Sequence, residues 1–171
     1  MRVSPSVVVR LVIALSGAIA ANPVPTRAAG PENSVVRIFA TVRLPNPLRP
    51  WARQNAIDTS GTGVVIEGNR VLTSAHLVLY ATEITVADHQ GGDRIDAKVA
   101  TIGPGIDLAT LTLDEPEFFE SHPPMPTSAK RPASNAQVAV YGFPVGGNGL
   151  AVTRGVISRT DWALYGDSIE G

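Results

Sequence analysis

From residue 34 onward the chain is a succession of short runs rich in Val, Ile and Thr, each ended by Gly, Pro, Asn or Asp, with no sustained 3.6-residue apolar period. A polypeptide patterned this way cannot build its core from major helices, because no segment presents a continuous apolar stripe. The predicted class is therefore all-β. Residues 34–42 form the first expected strand. Residues 44–59, with Pro45, Pro47, Pro50 and Trp51, form a loop of a length that usually serves a function. Residues 61–66 and 71–73 make a hairpin around Gly68-Asn69, a dipeptide suited to positive φ. A helical turn over 77–80, a strand over 83–87 and a polar turn over 88–93 follow. Residues 94–101 alternate, with Ile95, Ala97 and Val99 on one face and Arg94, Asp96 and Lys98 on the other. Residues 107–113 likewise gather Ala109, Leu111 and Leu113. Six strands by Leu113 suffice to close a small barrel.

Pro116, Pro123, Pro124, Pro126 and Pro132 then strip out ladder donors, so residues 114–135 read as a surface linker. Phe118 and Phe119 should anchor it to the barrel, while Asp114, Glu115, Glu117 and Glu120 face solvent. A second β unit begins with strands at 137–141 and 150–159, joined through Gly142-Phe143-Pro144-Val145-Gly146-Gly147-Asn148-Gly149. About two strands fit within residues 136–171, which leaves apolar faces and sheet edges without partners. The expected organisation is a leader at 1–20, a flexible segment at 21–33, a six-stranded barrel at 34–113, a Pro-rich linker at 114–135 and an incomplete second barrel at 136–171.

The leader rests on Arg2 and Arg10, a short apolar stretch over residues 11–21 and an A-x-A cleavage site at Ala18-Ile19-Ala20. That stretch is too short to span a bilayer unaided, so stable membrane insertion after cleavage is not expected. Cleavage after Ala20 removes two Arg and no acid, taking the formal charge from -1 to -3. Such a balance carries no nucleic-acid footprint. With no cysteine in the chain, disulfides, thiol chemistry and Cys-based zinc sites are excluded. An exported, cysteine-free protein fits a bacterial periplasm.

Two segments carry candidate chemistry. Val71-Leu72-Thr73-Ser74-Ala75-His76 and Gly105-Ile106-Asp107-Leu108-Ala109 each set one titratable residue beside a strand-like run. Alone, His76 reads more readily as a hydrogen-bonded structural His than as a base, and Asp107 as a turn cap. Together they have the form of a general base and the carboxylate that fixes its tautomer. The nucleophile that would complete a triad is missing. Ser60, in Thr59-Ser60-Gly61-Thr62-Gly63, opens a strand, and Ser168, in Gly166-Asp167-Ser168-Ile169-Glu170, lacks the following glycines that an oxyanion turn requires. His76, His89 and His122 lack metal-ligand spacing. Gly146-Gly147-Asn148-Gly149 lacks a P-loop Lys, so no cofactor is expected.

Read in order, these segments resemble the HtrA/Deg branch of the chymotrypsin-like serine endopeptidases, particularly the plant-type Deg sequences. Ser34-Val35-Val36-Arg37-Ile38-Phe39 is similar to the family's first strand and Gly61-Thr62-Gly63-Val64-Val65-Ile66 to G-[ST]-G-F-V-I. Arg70-Val71-Leu72-Thr73-Ser74-Ala75-His76 resembles R-I-L-T-N-A-H, and Asp107-Leu108-Ala109-Thr110-Leu111 resembles D-L-A-[LI]-L. Tyr141-Gly142-Phe143-Pro144-Val145-Gly146-Gly147 and Val152-Thr153-Arg154-Gly155-Val156-Ile157-Ser158-Arg159 resemble G-Y-P-x-G-G and V-T-x-G-V-V-S-R.

The resemblance implies a chymotrypsin-like double β-barrel, its first barrel complete and its second truncated, with His76 and Asp107 as catalytic base and orienting carboxylate. It also places the family's Gly-Asn-Ser-Gly-Gly turn shortly after Gly171 and Ser168 in a loop before it. The implied function is hydrolysis of peptide bonds in misfolded or exported polypeptides, with the present chain inactive alone. Trimerisation through residues 24–32 follows by the same analogy. The alternative reading is a non-catalytic secreted β-barrel that binds unfolded polypeptide or a partner. A carbohydrate- or lipid-binding sandwich lacks aromatic platforms, with four Phe, three Tyr and two Trp spread along the chain.

Overall fold

Valine, isoleucine and threonine favour the extended backbone because branching at Cβ restricts χ1 and suits a pleated surface. In the computed structural model, which describes residues 30–161 except 104, 145, 146 and 148, the runs of these residues become eight strands. A 3-10 turn at Pro31–Ser34 leads into β1 (Val35–Val42). There follow β2 (Ile57–Ile66), β3 (Arg70–Ser74), the helical turn α1 (Ala75–Val78), β4 (Ala81–Ala87), β5 (Ile95–Gly103) and β6 (Leu108–Leu113). The single turn α2 (Phe118–Ser121) interrupts the linker, and β7 (Gln137–Gly142) and β8 (Ala151–Val156) close the described chain. The expected leader, residues 24–29 and Ser168 lie outside the described residues.

The first six strands close into a barrel in the order β1-β2-β3-β6-β5-β4, every pair antiparallel. β7 and β8 form a separate two-stranded sheet. The fold is thus all-β, as expected. Inside the barrel, Val36, Ile38, Val65, Val71, Val86 and Leu111 are the largest fully buried side chains. Gly63 is part of this packing, since a Cβ there would lie 2.6 Å from Val71 Cγ1 and 2.8 Å from Ile38 Cδ1. The hairpin between β2 and β3 turns at Gly68 (φ 81°) and Asn69 (φ 53°), as the dipeptide predicts.

Some local expectations shift. Ser34 is not in the first strand; it ends the 3-10 turn, buried, with its hydroxyl donating to Pro123 O at 2.7 Å. The 44–59 loop shortens, because pairing of β2 with β1 runs out to Val42↔Ile57. The helical turn begins two residues earlier than expected, at Ala75. Val99 is 36% exposed, whereas Ile95 and Ala97 point inward and are buried. The cause is local: β5 pairs with β4 only through Thr85↔Asp96 and Val86↔Ile95, and its register to β6 slips between Val99 and Thr101. Beyond Asp96, β5 has no ladder partner in β4.

The linker does run over the barrel. Met125 N donates to Val65 O at 2.9 Å, and Phe118 and Phe119 pack against the barrel core. Asp114 is exposed and paired with Lys98 at 2.8 Å, a surface bridge of little energetic weight.

Candidate active site

His76 and Asp107 are 31 residues apart in sequence, and the barrel topology brings them together. β3 and β6 are adjacent and antiparallel, with Ser74 opposite Leu108. The residue after β3 and the residue before β6 therefore emerge at the same rim. α1 then lifts His76 from the end of β3, while Asp107 closes the 105–107 turn in the left-handed region (φ 48°), which Asp tolerates better than most residues.

Asp107 is buried and tied to α1 by three contacts. Its carbonyl accepts from Ala75 N at 3.0 Å, its Oδ1 accepts from His76 N at 2.8 Å, and its Oδ2 lies 2.6 Å from His76 Nδ1. The first N–H groups of a helical turn lack partners of their own and are commonly satisfied by an N-cap side chain. Ser74 stands at that position without making such a bond. Asp107 supplies the acceptors instead, from the neighbouring turn, and in doing so fixes both backbone and ring of His76. A carboxylate at Nδ1 favours the tautomer with the proton there, which leaves Nε2 an acceptor. The His76 side chain is 62% exposed, against 7% for Asp107. The arrangement is a solvent-facing imidazole backed by a buried carboxylate.

No described serine hydroxyl is hydrogen-bonded to His76. Ser60 sits in the β1–β2 ladder opposite Phe39, a strand residue as its sequence position suggests. Among the described residues, no group of three or more His, Asp or Glu side chains is disposed to hold a metal ion.

Sequence reasoning missed two features. Thr62 Oγ1 accepts from Phe143 N at 2.8 Å and so joins the barrel to the start of the second sheet. Asp88, at the end of β4, is approached by both other histidines: His89 Nδ1 at 2.5 Å and His122 Nε2 at 3.3 Å. His122 is buried, stacked on Phe118 at 3.8 Å between ring centroids, with Nδ1 2.8 Å from Phe118 O. Burial pushes the Asp88 carboxyl up. The polar contact with His122, the charges of His89 and His122 and the backbone N–H of His89 outweigh it and hold the group below its usual value. No spacing rule could find this cluster, because residues 88 and 122 meet only when the linker folds back on the barrel.

The pattern of the trypsin-like peptidase domain matches residues 61–168, well over half of the chain. The chain belongs to the trypsin-like peptidase domain family. Its relatives include Deg/HtrA-like proteases. It is 35% identical over 133 residues to Protease Do-like 4, mitochondrial, of Arabidopsis thaliana, covering 78% of the chain and 26% of the relative. It is 31% identical over 131 residues to a serine protease DegP homolog of Plasmodium falciparum, covering 77% and 15%. The chain thus spans about a quarter or less of these curated relatives. Among solved structures, the active form of Rv3671c protease from M. tuberculosis superposes with a TM-score of 0.56 at 30% identity, covering 75% of this chain and 49% of that one. The HtrA-type protease AlgW with tripeptide reaches 0.60 at 24% identity over 79% and 39%, a likeness of fold. The trypsin-like peptidase assignment and the closed barrel agree with the resemblance read from the sequence.

Proposed function

We propose that this trypsin-like peptidase chain supplies the general base, His76, and its orienting carboxylate, Asp107, to a Deg/HtrA-like serine endopeptidase that cleaves misfolded or exported polypeptides. The observation that carries the reading is the 2.6 Å contact between Asp107 Oδ2 and His76 Nδ1, with the remainder of the ring open to solvent.

In this reading Nε2 of His76 takes the proton of a serine hydroxyl as its oxygen attacks the peptide carbonyl. The imidazolium, stabilised by Asp107, then returns that proton to the leaving amine. A water molecule is activated by the same base to release the acyl group. Asp107 stays ionised throughout; its work is to hold the tautomer and offset the transient positive charge. The family's serine and oxyanion donors sit in a Gly-Asn-Ser-Gly-Gly turn, a motif that residues 1–171 do not contain, so in this reading these residues alone form no acyl-enzyme. Export is part of the proposal, supported by the leader pattern of residues 1–20; the mitochondrial designation of Protease Do-like 4 describes that relative.

The test uses a product extended past Gly171 through a serine-bearing turn. It is expected to degrade casein and to take up a fluorophosphonate probe, and Asp107→Asn should lower kcat by about 10,000-fold and His76→Ala by about a millionfold. The 171-residue chain should take up no probe. Probe labelling of that chain, or an extended product indifferent to His76→Ala, would overturn the reading.

A further inference from the structure

The loop between β1 and β2 carries apolar side chains where no fold needs them. Leu48 is 89% exposed and Trp51 85% exposed. Exposure this high means that neither has a wall beside it. Yet the loop is built. Asn46 N donates to Ala52 O at 3.2 Å, Ala52 N to Arg49 O at 2.8 Å, Gln54 N to Leu44 O at 2.9 Å and Leu48 N to Asn46 Oδ1 at 3.0 Å. An isolated bridge pairs Pro45 with Arg53, and Arg43 N donates to Tyr80 O at the base. A preformed arm therefore holds a Trp and a Leu in water, at a cost that covering them elsewhere would remove.

Charge indicates what covers them. Residues 33–57 contain Arg37, Arg43, Arg49 and Arg53 and no acidic residue, although the whole chain is net acidic at -1. The nearest acid along the chain, Asp58, accepts from Thr41 Oγ1 at 2.8 Å at the root of the arm, not at its tip. An indole and an aliphatic side chain framed by guanidinium groups suit a membrane interface: the ring sits at headgroup level and the arginines meet anionic phosphates. A polypeptide partner would have to bring its own apolar pocket, ringed by acidic side chains, to receive the tip, whereas an anionic bilayer meets both the indole and the arginines without one.

We propose that the tip of this arm, Leu48 and Trp51 with Arg49 and Arg53, docks the barrel peripherally on an anionic lipid surface. The antiparallel order of β1, β2, β3 and β6 puts the arm, α1 and the 105–107 turn at the same end of the barrel. Docking therefore turns the His76 rim toward the membrane and favours polypeptides presented there.

Residues 11–21 could bind lipid independently, so the experiment reads the arm itself. In the full chain carrying Trp162→Phe, Trp51 is the sole tryptophan. With vesicles of phosphatidylglycerol and phosphatidylethanolamine, its emission should shift to the blue and be quenched by brominated acyl chains. Pairing Arg49→Gln with Arg53→Gln should weaken this partition about 30-fold, with an unchanged far-UV spectrum. Vesicles of phosphatidylcholine alone should leave Trp51 in water. Three results overturn the proposal: sedimentation with vesicles while Trp51 remains unquenched, equal insertion into phosphatidylcholine, or a concentration-dependent blue shift without vesicles, which would assign the tip to a second copy of the chain.

Discussion

Asp107 combines backbone, capping and electrostatic roles in one residue, and each can be separated by substitution. Asn at 107 tolerates the left-handed backbone and keeps an oxygen for His76 N, but its amide now donates toward Nδ1. The ring must then carry its proton on Nε2, the nitrogen that a general base needs free. Imidazole nitrogen NMR of the 171-residue chain should therefore report the Nε2–H tautomer of His76 in Asp107→Asn and the Nδ1–H tautomer in the parent. An unchanged tautomer would detach the carboxylate from any role in orienting the ring. Asp107→Ala also removes the acceptor for His76 N and places a Cβ without a compensating side-chain bond at φ 48°. Its expected cost is about 2 kcal/mol in urea unfolding. No comparable loss is expected for His76→Ala, because the His76 side chain is mostly exposed.

Among the elements, β2 is the one whose composition is set by what faces it. Gly63→Ala would drive a methyl into Val71, Ile38 and Val36, and overpacking of this kind costs about 1–3 kcal/mol. Urea unfolding checks this, and Thr62→Ser, one position away, serves as a control that keeps the hydroxyl for Phe143 N. α2 offers a pH-dependent counterpart. Asp88 is held below its ordinary value of 3.8 by the contacts of His122 and His89. A depressed carboxylate contributes stability in full above that ordinary value and loses it as pH falls through the lower folded value. Asp88→Asn should thus flatten the acid limb of the stability profile below about pH 3.8, leaving the barrel's unfolding slope with denaturant unchanged. The strands and the His76–Asp107 pair were legible in sequence because alternation and turn residues act over a few neighbours, and because both residues flank strands that the topology pairs. The exposure of Val99, the early start of α1 and the Asp88 cluster were not legible. Each depends on contacts between distant segments: the short β4–β5 pairing, the reach of Asp107 to Ala75, and the return of the linker onto the barrel.

At the scale of the molecule, a closed barrel with its own core carries a sheet that has almost none. Every residue of β8 is exposed, and Val140, Val152 and Val156 are 62%, 46% and 57% exposed. In the register of β7 with β8, Val152 and Val156 share a face with Tyr141, whereas Val140 lies on the opposite face with Val138. Both faces are thus partly apolar, and a two-stranded hairpin is marginal in water without a packed face. What holds it is local: the buried Phe143 with its N–H on Thr62, and the mutual bonds of Asn135 N to Ile157 O and Ile157 N to Ala136 O. The barrel should therefore resist opening as one unit while the hairpin opens more readily. In hydrogen exchange, the amides of β7 and β8 should exchange well before those of β1 and β6. The chain should also bind an apolar dye such as ANS without losing its barrel, and the triple substitution of Val140, Val152 and Val156 to Thr should remove most of that binding while the barrel's unfolding free energy stays within about 0.5 kcal/mol of the parent. If dye binding survives the triple substitution, the exposed surface lies elsewhere. If the barrel's midpoint falls with it, the two sheets form one cooperative body.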